Sequence, residues 1–373
     1  MQAYRTESCL LEHSEELRQA WQDLQARSDC SYFLSWGWIA TWLRQIAIML
    51  RPVVVRVWHG EQLVGLAVFV PKAIKRRIVF RASALFLNEY PFDINNMVIE
   101  YNGLLAAQGH ESAVYAETVR HLLREHRHFD EFHFGAIAEG LDFDSLTQAA
   151  GNPAGLRIIE ESTAWQVDLG ALGSGADAFL DTLSKNRRTQ LRRSLRLYEK
   201  QGPLSLVEAR DTGQALAFFE GLKVLHTEWR KLKGDGGAFA NPCWEQFHRS
   251  LIQDRFSVGE IQLIRVSSPV VTIGYLYNFI WRKHVYVLQT GFKPGDDKRD
   301  LPGYVVHALA IVHNRDKGMA VYDLMHGDSI YKKILCNRCR KVYWLVLQRN
   351  RLKFRLENYA IATVRRAREL LKP

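Results

Sequence analysis

The sequence has little cysteine and no long hydrophobic run. Five cysteines are an odd number for a disulfide framework, and free thiols are typical of a reducing compartment. Glu12, Glu15 and Glu16 lie near the N-terminus, where an export signal would need a basic stretch followed by an apolar one. Apolar runs such as residues 46–50 fall far short of the roughly 18 residues that span a bilayer. We therefore expect a cytoplasmic protein that does not cross a membrane.

Motifs of several common enzyme classes are also absent. The sequence contains no Gly-x-Ser-x-Gly turn, no Walker loop and no dinucleotide fingerprint in its structural context, so hydrolase, NTPase and dehydrogenase functions lack support. Cys336 and Cys339 form a lone C-x-x-C pair, and the four histidines of residues 121–133 straddle a predicted helix end and strand. We expect no metal site at either place.

What is present is a globular composition with localised positive charge. The 373 residues, 47% of them apolar, suffice for two domains. The net charge of +10 is concentrated, because residues 331–373 hold 13 basic and 2 acidic residues and residues 184–200 hold 7 basic and 1 acidic residue. Two such patches attract anions: ligand phosphates, anionic lipid or nucleic acid.

An internal repeat predicts the domain organisation. Residues 53–70 and 262–279 both read as strand, tight turn and strand, and each follows an amphipathic helical stretch that opens with Trp, residues 36–46 and 244–253. We predict two similar α+β domains, residues 1–169 and 170–351, followed by a basic amphipathic helix at residues 352–373. The second domain also contains a Gly-rich loop at residues 234–237.

A loop rich in Gly and charge, GFKPGDDKRDLPG, follows a predicted strand and opens onto a predicted helix. A helix N-terminus leaves backbone N–H groups unpaired, so this loop is a candidate anion site. Lys298 and Arg299 would add full positive charges beside Leu301. Pro302 and Gly303 suit the turn into the helix, and Gly would let a ligand approach the backbone. An ordinary solvated loop is the alternative.

The predicted helix of residues 184–200 is a second candidate phosphate site. Lys185, Arg188 and Arg192 share one face, while Leu191 and Tyr198 can face the core. Arginines in such a row can hold phosphates through paired hydrogen bonds. A solvated charged face is the alternative.

Several segments resemble GNAT-fold N-acyltransferases. The nearest resemblance is to the CelD-like acetyltransferases of cellulose biosynthesis, which are related to the Fem-type peptidoglycan aminoacyl transferases with their tandem GNAT domains. The segments are SKNRRTQLRRSLRLYEKQG, FHRSL, IGYLYNF, YVLQTGFKP, LPG and YDLMHGDSIYK in the second half, and, more weakly, FLSWGWIATW in the first.

The resemblance implies fold and activity. The fold would be α/β (α+β), with tandem GNAT-like domains that each have a mixed, mostly antiparallel sheet flanked by helices. The activity would be direct acyl transfer from acyl-CoA (acetyl-CoA) as co-substrate, with no bound cofactor or metal. The family's usual Gln/Arg-x-x-Gly-x-Gly/Ala signature is replaced by LPG, so an aminoacyl-tRNA donor stays open. The first copy lacks the Gly-charge loop and is expected to be degenerate.

Candidate catalytic groups cluster at the end of the predicted strand of residues 320–325. Asp323, His326 and Asp328 are candidate bases, because an amine must lose a proton before it attacks. By resemblance, Tyr331 would protonate the leaving thiolate, and Lys332 beside it would bind substrate or phosphate. Asp328 is expected rather to cap the following helix.

Tyr286 and Gln289 lie on a strand that would line either the substrate cleft or the core, with the core favoured for Tyr286. The acceptor is expected to be a small molecule, glycan or peptide, for example a sugar, peptide or envelope precursor with an amine or hydroxyl.

The rival hypothesis is an inactive protein that binds anionic membrane or nucleic acid through its basic patches. The basic tail could instead hold an active enzyme at an anionic membrane.

Overall fold

The computed structural model describes residues 3–12, 14–45, 50–76, 81–89, 99–175, 177–295, 299–357, 359 and 363. The described chain divides into two compact units. The first unit runs to residue 161 and takes up the chain again from Val342, whereas the second consists of residues 162–341. The first unit is therefore built from two separate stretches of sequence.

The first unit contains six long strands, one short strand and four helices among its described residues. In chain order these are β1 (Tyr4–Leu10), α1 (Glu15–Ala26), α2 (Trp36–Leu43), β2 (Val53–His59), β3 (Gln62–Lys75), β4 (Arg81–Leu87), β5 (Leu105–Ala106), α3 (Glu111–Glu125), β6 (Glu131–Ala138), α4 (Phe143–Ala150) and, near the end of the chain, β13 (Arg338–Arg349).

The sheet of the first unit has the order β1-β2-β3-β4-β6-β13, with β5 beside β3. All neighbours are antiparallel except β4 and β6, which run parallel. Side-chain caps fix the helix starts, since Ser14, Ser35 and Asp142 each accept a hydrogen bond from a backbone N–H of the first turn.

The second unit repeats this arrangement. Its elements are β7 (Ala154–Asp168), α5 (Ala178–Thr182), α6 (Lys185–Glu199), β8 (Ser205–Glu208), α7 (Thr212–Lys233), α8 (Pro242–Arg255), β9 (Ile261–Ser267), β10 (Thr272–Trp281), β11 (His284–Phe292), α9 (Pro302–Asp316), β12 (Val321–His326) and α10 (Ile330–Leu335). The sheet order is β7-β12-β11-β10-β9-β8, and only β11 and β12 run parallel.

The core of the second unit explains the pattern of the basic helix. Leu191 and Tyr198 of α6 are buried with Phe179, Leu276 and other apolar side chains of the sheet and of α9. The prediction that these two residues face the core is confirmed, and the arginines of α6 are left on the other side.

The predicted repeat is confirmed. The hairpins β2–β3 and β9–β10 and the preceding helices α2 and α8 occupy corresponding places in the two units. The expected fold class, α/β (α+β) with mixed and mostly antiparallel sheets flanked by helices, is also confirmed.

The last strand of each sheet comes from an unexpected part of the chain. β7 follows β6 in sequence but pairs with β12, and β13 follows β12 but pairs with β6. The division of the chain by contacts therefore differs from the predicted domain of residues 170–351, because residues from Val342 lie with the first unit.

The predicted C-terminal helix is described only in part. Residues 352–357 are helical, and most of the chain beyond them lies outside the described residues, so a basic helix to residue 373 stays a prediction. Within the described chain, no helix has both the length and the apolarity that crossing a membrane requires.

Candidate functional site

The parallel strands β11 and β12 separate soon after they begin to pair. Their paired residues are 284–286 on β11 and 321–323 on β12. β11 then continues to Phe292 and β12 to His326, and no further ladder joins them among the described residues. Side chains bond several backbone groups along these edges instead: Asp323 accepts from the Met325 N–H, Lys332 donates to the Met325 and His326 carbonyls, and Thr290 bonds to His226 and Gln289.

The same gap in the first unit is closed by the chain itself. β4 and β6 pair over residues 84–86 and 131–133. Beyond that point the Asn102 amide donates to the carbonyls of Leu87, at 2.8 Å, and its backbone N–H donates to that of Ala136, at 3.1 Å. Asn102 thus bridges the two strands of the first unit, where the second unit has an opening.

Glu89 fills the remaining space beside this bridge. A Cβ on Gly135 would lie 2.3 Å from a Glu89 carboxyl oxygen, so the carboxyl group rests directly against β6. Burial raises the pKa of Glu89 to about 8, although its hydrogen bond with Asn102 works in the opposite direction. With this pKa the carboxyl group is mostly neutral at pH 7, and among the described residues Asn102 and Glu89 occupy the place that is open in the second unit.

Asp323 lies at the point where β11 and β12 separate. Its side chain is fully buried. It accepts hydrogen bonds from Gln166 Nε2 at 2.7 Å, from His284 Nε2 at 3.0 Å and from the Met325 N–H at 2.6 Å. Three donors hold this carboxylate and so fix the point at which the two strands separate, which we call the fork.

His326 and Lys332 lie at the end of β12. Burial, reinforced by the Lys332 charge, lowers the pKa of His326 to about 4. The Lys332 ammonium donates to the carbonyls of His326 at 2.6 Å and Met325 at 3.3 Å. At pH 7 the imidazole of His326 is therefore neutral, and its low pKa makes it a weak base. Lys332 caps the strand end.

Tyr331 stacks on a buried histidine. Its ring lies 5.6 Å from that of His307 at an interplanar angle of 14°, and His307 Nδ1 is hydrogen-bonded to the Tyr322 hydroxyl at 2.9 Å. Burial lowers the pKa of His307 to about 3, so this ring stays neutral. Asp328 does not cap α10, because the N-cap position belongs to Ser329, whose side chain makes no capping bond.

Tyr286 is 6% exposed. Its ring stacks on His284 at 4.0 Å, and its backbone is in register with Asp323. The side chain thus packs at the fork, in agreement with the core position favoured by the sequence.

A basic cavity of about 520 Å³ joins the two regions from which phosphate binding was predicted. It is lined by Thr189, Arg192, Arg193, Arg196, Leu197, Lys200 and Arg299. Arg299 lies in the loop between β11 and α9, and the other residues lie on or just after α6. Five cations facing one cavity make it a candidate anion site.

The predicted row on α6 is only partly in this cavity. Arg192 lines it while pairing with Asp177 at 3.0 Å. Arg188 pairs with Asp181 at 3.2 Å, and neither it nor Lys185 is among the lining residues. The cationic face that lines the cavity is therefore rotated toward Arg193 and Arg196, which the sequence analysis did not single out.

The loop before α9 is described from residue 299 onward, so Lys298 lies outside the described residues. The Leu301 N–H donates to Ser194 Oγ of α6 at 3.0 Å, and Pro302 is at the first helical position. A Cβ on Gly303 would lie 3.2 Å from the Phe292 ring. Glycine is thus favoured here by packing, and the Leu301 bond ties the loop to the basic helix.

Gln289 contributes to another cavity, of about 530 Å³. This cavity is lined by the end of α7, the Gly-rich loop, the start of α8 and the strand β11: His226, Arg230, Asp235, Gly236, Gly237, Ala238, Ala240, Asn241, Trp244 and Gln289. Its size is that of a small-molecule site, and its lining mixes an aromatic wall with polar groups.

The sequence analysis missed His226, for which the glycines of residues 234–237 were the only signal. Its Nδ1–H donates to the Thr290 carbonyl at 3.1 Å, whereas its Nε2 is buried without a hydrogen-bond partner. Burial lowers the pKa of His226. A Cβ on Gly237 would lie 2.5 Å from Nε2, so only glycine lets the loop close over the ring.

Residues 185–333 match the family model described as the acetyltransferase (GNAT) domain. The match begins at the first residue of α6 and ends within α10, so it contains the basic helix, the separated strands and α9. The expected GNAT domain is therefore confirmed for this stretch, and the protein is an acyltransferase.

Solved structures extend the similarity of fold over nearly the whole chain. FemX is 10% identical and has a TM-score of 0.56, with 90% of this chain and 96% of FemX covered. The C-terminal domain of a putative lysylphosphatidylglycerol synthetase from Agrobacterium fabrum is 12% identical, with a TM-score of 0.51 and 94% of each chain covered. L-PGS from Bacillus licheniformis is 10% identical, with a TM-score of 0.52, 92% of this chain and 94% of that chain covered. No curated protein sequence matches this chain.

Proposed function

We propose that the protein transfers an acyl group from acyl-CoA to an amine, or to a hydroxyl, of a sugar, peptide or envelope or polysaccharide precursor. The observation that carries the proposal is the open fork of β11 and β12 next to a five-cation cavity. The extended pantetheine arm of CoA would enter the gap between the two strands. Its phosphates would occupy the basic cavity.

The charge and size of the basic cavity favour CoA as the donor. CoA carries a pyrophosphate and a 3′-phosphate, and five cations in about 520 Å³ match this charge. The Leu301 bond to Ser194 holds the loop of Arg299 against α6, which would keep both sides of the cavity in place before the ligand arrives.

The cavity at Gln289 supports an acceptor site. It adjoins β11, the strand that would bind the donor, and its polar lining of Arg230, Asp235 and Asn241 suits a sugar or peptide better than a lipid chain. We place the acceptor amine here, in the same unit as the donor.

The chemistry is a direct displacement. The amine nitrogen attacks the thioester carbon, a C–N bond forms and the C–S bond breaks. His326, neutral at pH 7, would take the proton that the amine loses, and the Tyr331 hydroxyl would give a proton to the departing thiolate. Asp323 would act as a positioning residue that holds the fork.

Calorimetric titration tests the donor assignment. We expect acetyl-CoA and desulfo-CoA to bind the wild-type protein, and the double variant Arg196→Ala/Arg299→Ala to bind at least tenfold more weakly, a change of about 1.4 kcal/mol. The matched control is Lys185→Ala/Arg187→Ala, on the same helix but outside the cavity lining.

The outcomes separate the candidate donors. Equal weakening in the control would mean that general positive charge, rather than the cavity, binds the ligand. Absence of binding by both CoA ligands would overturn the acyl-CoA proposal and favour the aminoacyl-tRNA donor, which the same titration with charged tRNA would then examine.

A further inference from the structure

The first unit contains a second arginine-lined cavity, in a part of the chain that belongs to none of the elements assigned to acyl transfer. Its volume is about 760 Å³. The lining residues are Arg120, Leu123, Arg124, Arg127, Ala149, Ala150, Gly151, Pro153, Arg349, Asn350 and Arg351. Three of the arginines come from α3 or the residues just after it, and two follow from the end of β13.

The arginine at the centre of this cavity is rigidly held. The Arg349 guanidinium donates to four backbone carbonyls at the end of α3: those of Leu122 at 3.3 Å, Leu123 at 2.8 Å, His126 at 3.3 Å and Phe129 at 2.9 Å. A helix C-terminus has unpaired carbonyls, and Arg349 satisfies them. Its position is therefore set before any ligand binds.

The positive charge of the cavity is only partly neutralised. Arg120 and Arg124 pair with Glu117 and Glu125 on the solvent side, and Arg351 pairs with Asp130.

By contrast, Arg349 and Arg127 bond, among the described residues, only to uncharged carbonyls. Burial and the nearby charges of Arg351 and Arg127 lower the pKa of Arg349. A bound anion would reduce the repulsion between like charges that are held together in this way.

The floor of the cavity is apolar. Leu123 and Ala150 are buried there, and Ala149, Gly151 and Pro153 complete the surface. Small side chains at the end of α4 leave the space open. A ligand with an anionic group for the arginines and an apolar portion for these side chains would match this lining.

We propose that this cavity binds a nucleotide-like ligand, with its phosphate or diphosphate on Arg124, Arg127 and Arg349 and its ring on the floor at Leu123 and Ala150. The volume of about 760 Å³ lies in the range of small-molecule sites. The site would give the first unit, whose donor gap is closed, a binding role of its own.

Calorimetry with pyrophosphate and with ADP tests this proposal on the full-length chain. Arg124→Ala/Arg127→Ala removes two exposed arginines, and Ala149→Glu places a carboxylate in the cavity while keeping every arginine. We expect each variant to weaken ADP binding at least tenfold. The matched control, Arg193→Ala/Arg196→Ala in the basic cavity of the second unit, should bind ADP at the cavity of the first unit with wild-type affinity.

Several results would overturn the proposal. These are no binding of either probe at millimolar concentration, binding that is unchanged in both variants of the first unit, or loss of binding only in the control. Equal affinities for pyrophosphate and ADP would exclude the ring contact. If an RNA hairpin bound tightly through the same arginines and ADP did not bind, the cavity would be a site for RNA and not for a nucleotide. Unchanged acetyl-CoA binding by the Arg124→Ala/Arg127→Ala variant would show that the cavity of the first unit can be tested independently of the proposed donor site.

Discussion

At the scale of single residues, each unit has polar side chains where its two parallel strands separate, but these side chains have opposite effects in the two units. Asp323 in the second unit is ionically and sterically fixed by His284, Gln166 and the Met325 N–H, and the strands beyond it stay apart. Glu89 and Asn102 in the first unit fill the fork. A small change in side chains therefore separates a binding gap from a packed core.

Tyr331 provides a test of the proton donor. We expect Tyr331→Phe to lower kcat by about 10- to 100-fold, because the hydroxyl is lost. The ring stack on His307 should keep the melting temperature unchanged. The measurement is thiol release from acetyl-CoA with glucosamine as the amine, and Tyr343→Phe in β13 is the control. An undiminished kcat would remove Tyr331 from the mechanism.

Glu89 predicts a pH dependence of stability. Its pKa is about 8 in the folded protein and ordinarily 4.5, so folding takes up a proton between these values and the free energy of unfolding falls as the pH rises through that window. We expect Glu89→Gln to match the wild type near pH 4 and to be more stable at pH 8 by about 4 kcal/mol.

Denaturant titration at both pH values measures the Glu89 effect. Glu61→Gln, at the exposed β2–β3 turn, should be unchanged at both. A Glu89→Gln variant that is less stable than the wild type at pH 8 would mean that the buried carboxyl is ionised.

At the scale of elements, β8 and α9 are joined by a charged cluster. Glu208 of β8 accepts hydrogen bonds from His313 Nε2 at 2.7 Å and Lys317 Nζ at 2.7 and 2.8 Å. Burial opposes ionisation of Glu208, but these donors outweigh it and lower the pKa to about 2. The edge strand is thus attached to the helix that follows the loop of Arg299.

This cluster contributes stability that depends on pH. A depressed carboxyl pKa stabilises the fold above the ordinary value of 4.5, and the contribution disappears as the pH falls from there toward 2. We expect Glu208→Gln to cost about 1–2 kcal/mol at pH 7 and little at pH 2. Thermal unfolding across this range measures it, with the exposed Glu199→Gln as control. A constant difference at all pH values would contradict the assignment.

Elements with a local signal could be predicted from the sequence. The β2–β3 and β9–β10 hairpins and the helices α2 and α8 follow from periodicity and repetition, and Pro302 marked the start of α9. Strand partners could not be predicted in this way, because the pairing of β7 with β12 and of β13 with β6 depends on contacts between distant parts of the chain.

The site shows the same division. Gln289 and Arg299 were found from their positions on a strand and in a charged loop, and both line cavities. Arg193 and Arg196 were missed although Leu191 and Tyr198 were placed correctly, because the face of α6 that meets the Arg299 loop depends on a contact between distant residues, Leu301 and Ser194. His226 was missed because a single histidine on a helix carries no pattern.

At the scale of the whole molecule, the closed gap of the first unit predicts the stoichiometry of donor binding. We expect one acetyl-CoA site per chain that Arg196→Ala/Arg299→Ala weakens in calorimetric titration, because among the described residues the parallel strands are left unbridged in the second unit alone. Two equivalent sites would contradict the bridging role of Asn102. Asn102→Ala is the matched variant and should leave the stoichiometry at one, since Glu89 still fills the gap.

The exchange of the final strands has a consequence for synthesis on the ribosome. β6 is complete at Ala138, but its partner β13 begins to pair only at Val342, about 200 residues later. At about 5–20 residues per second, the edge of β6 waits roughly 10 to 40 seconds for its neighbour. An open strand edge invites pairing with other chains. The unit that is synthesised first therefore completes its sheet last. A nascent chain released early would leave the ribosome with the edge of β6 uncovered.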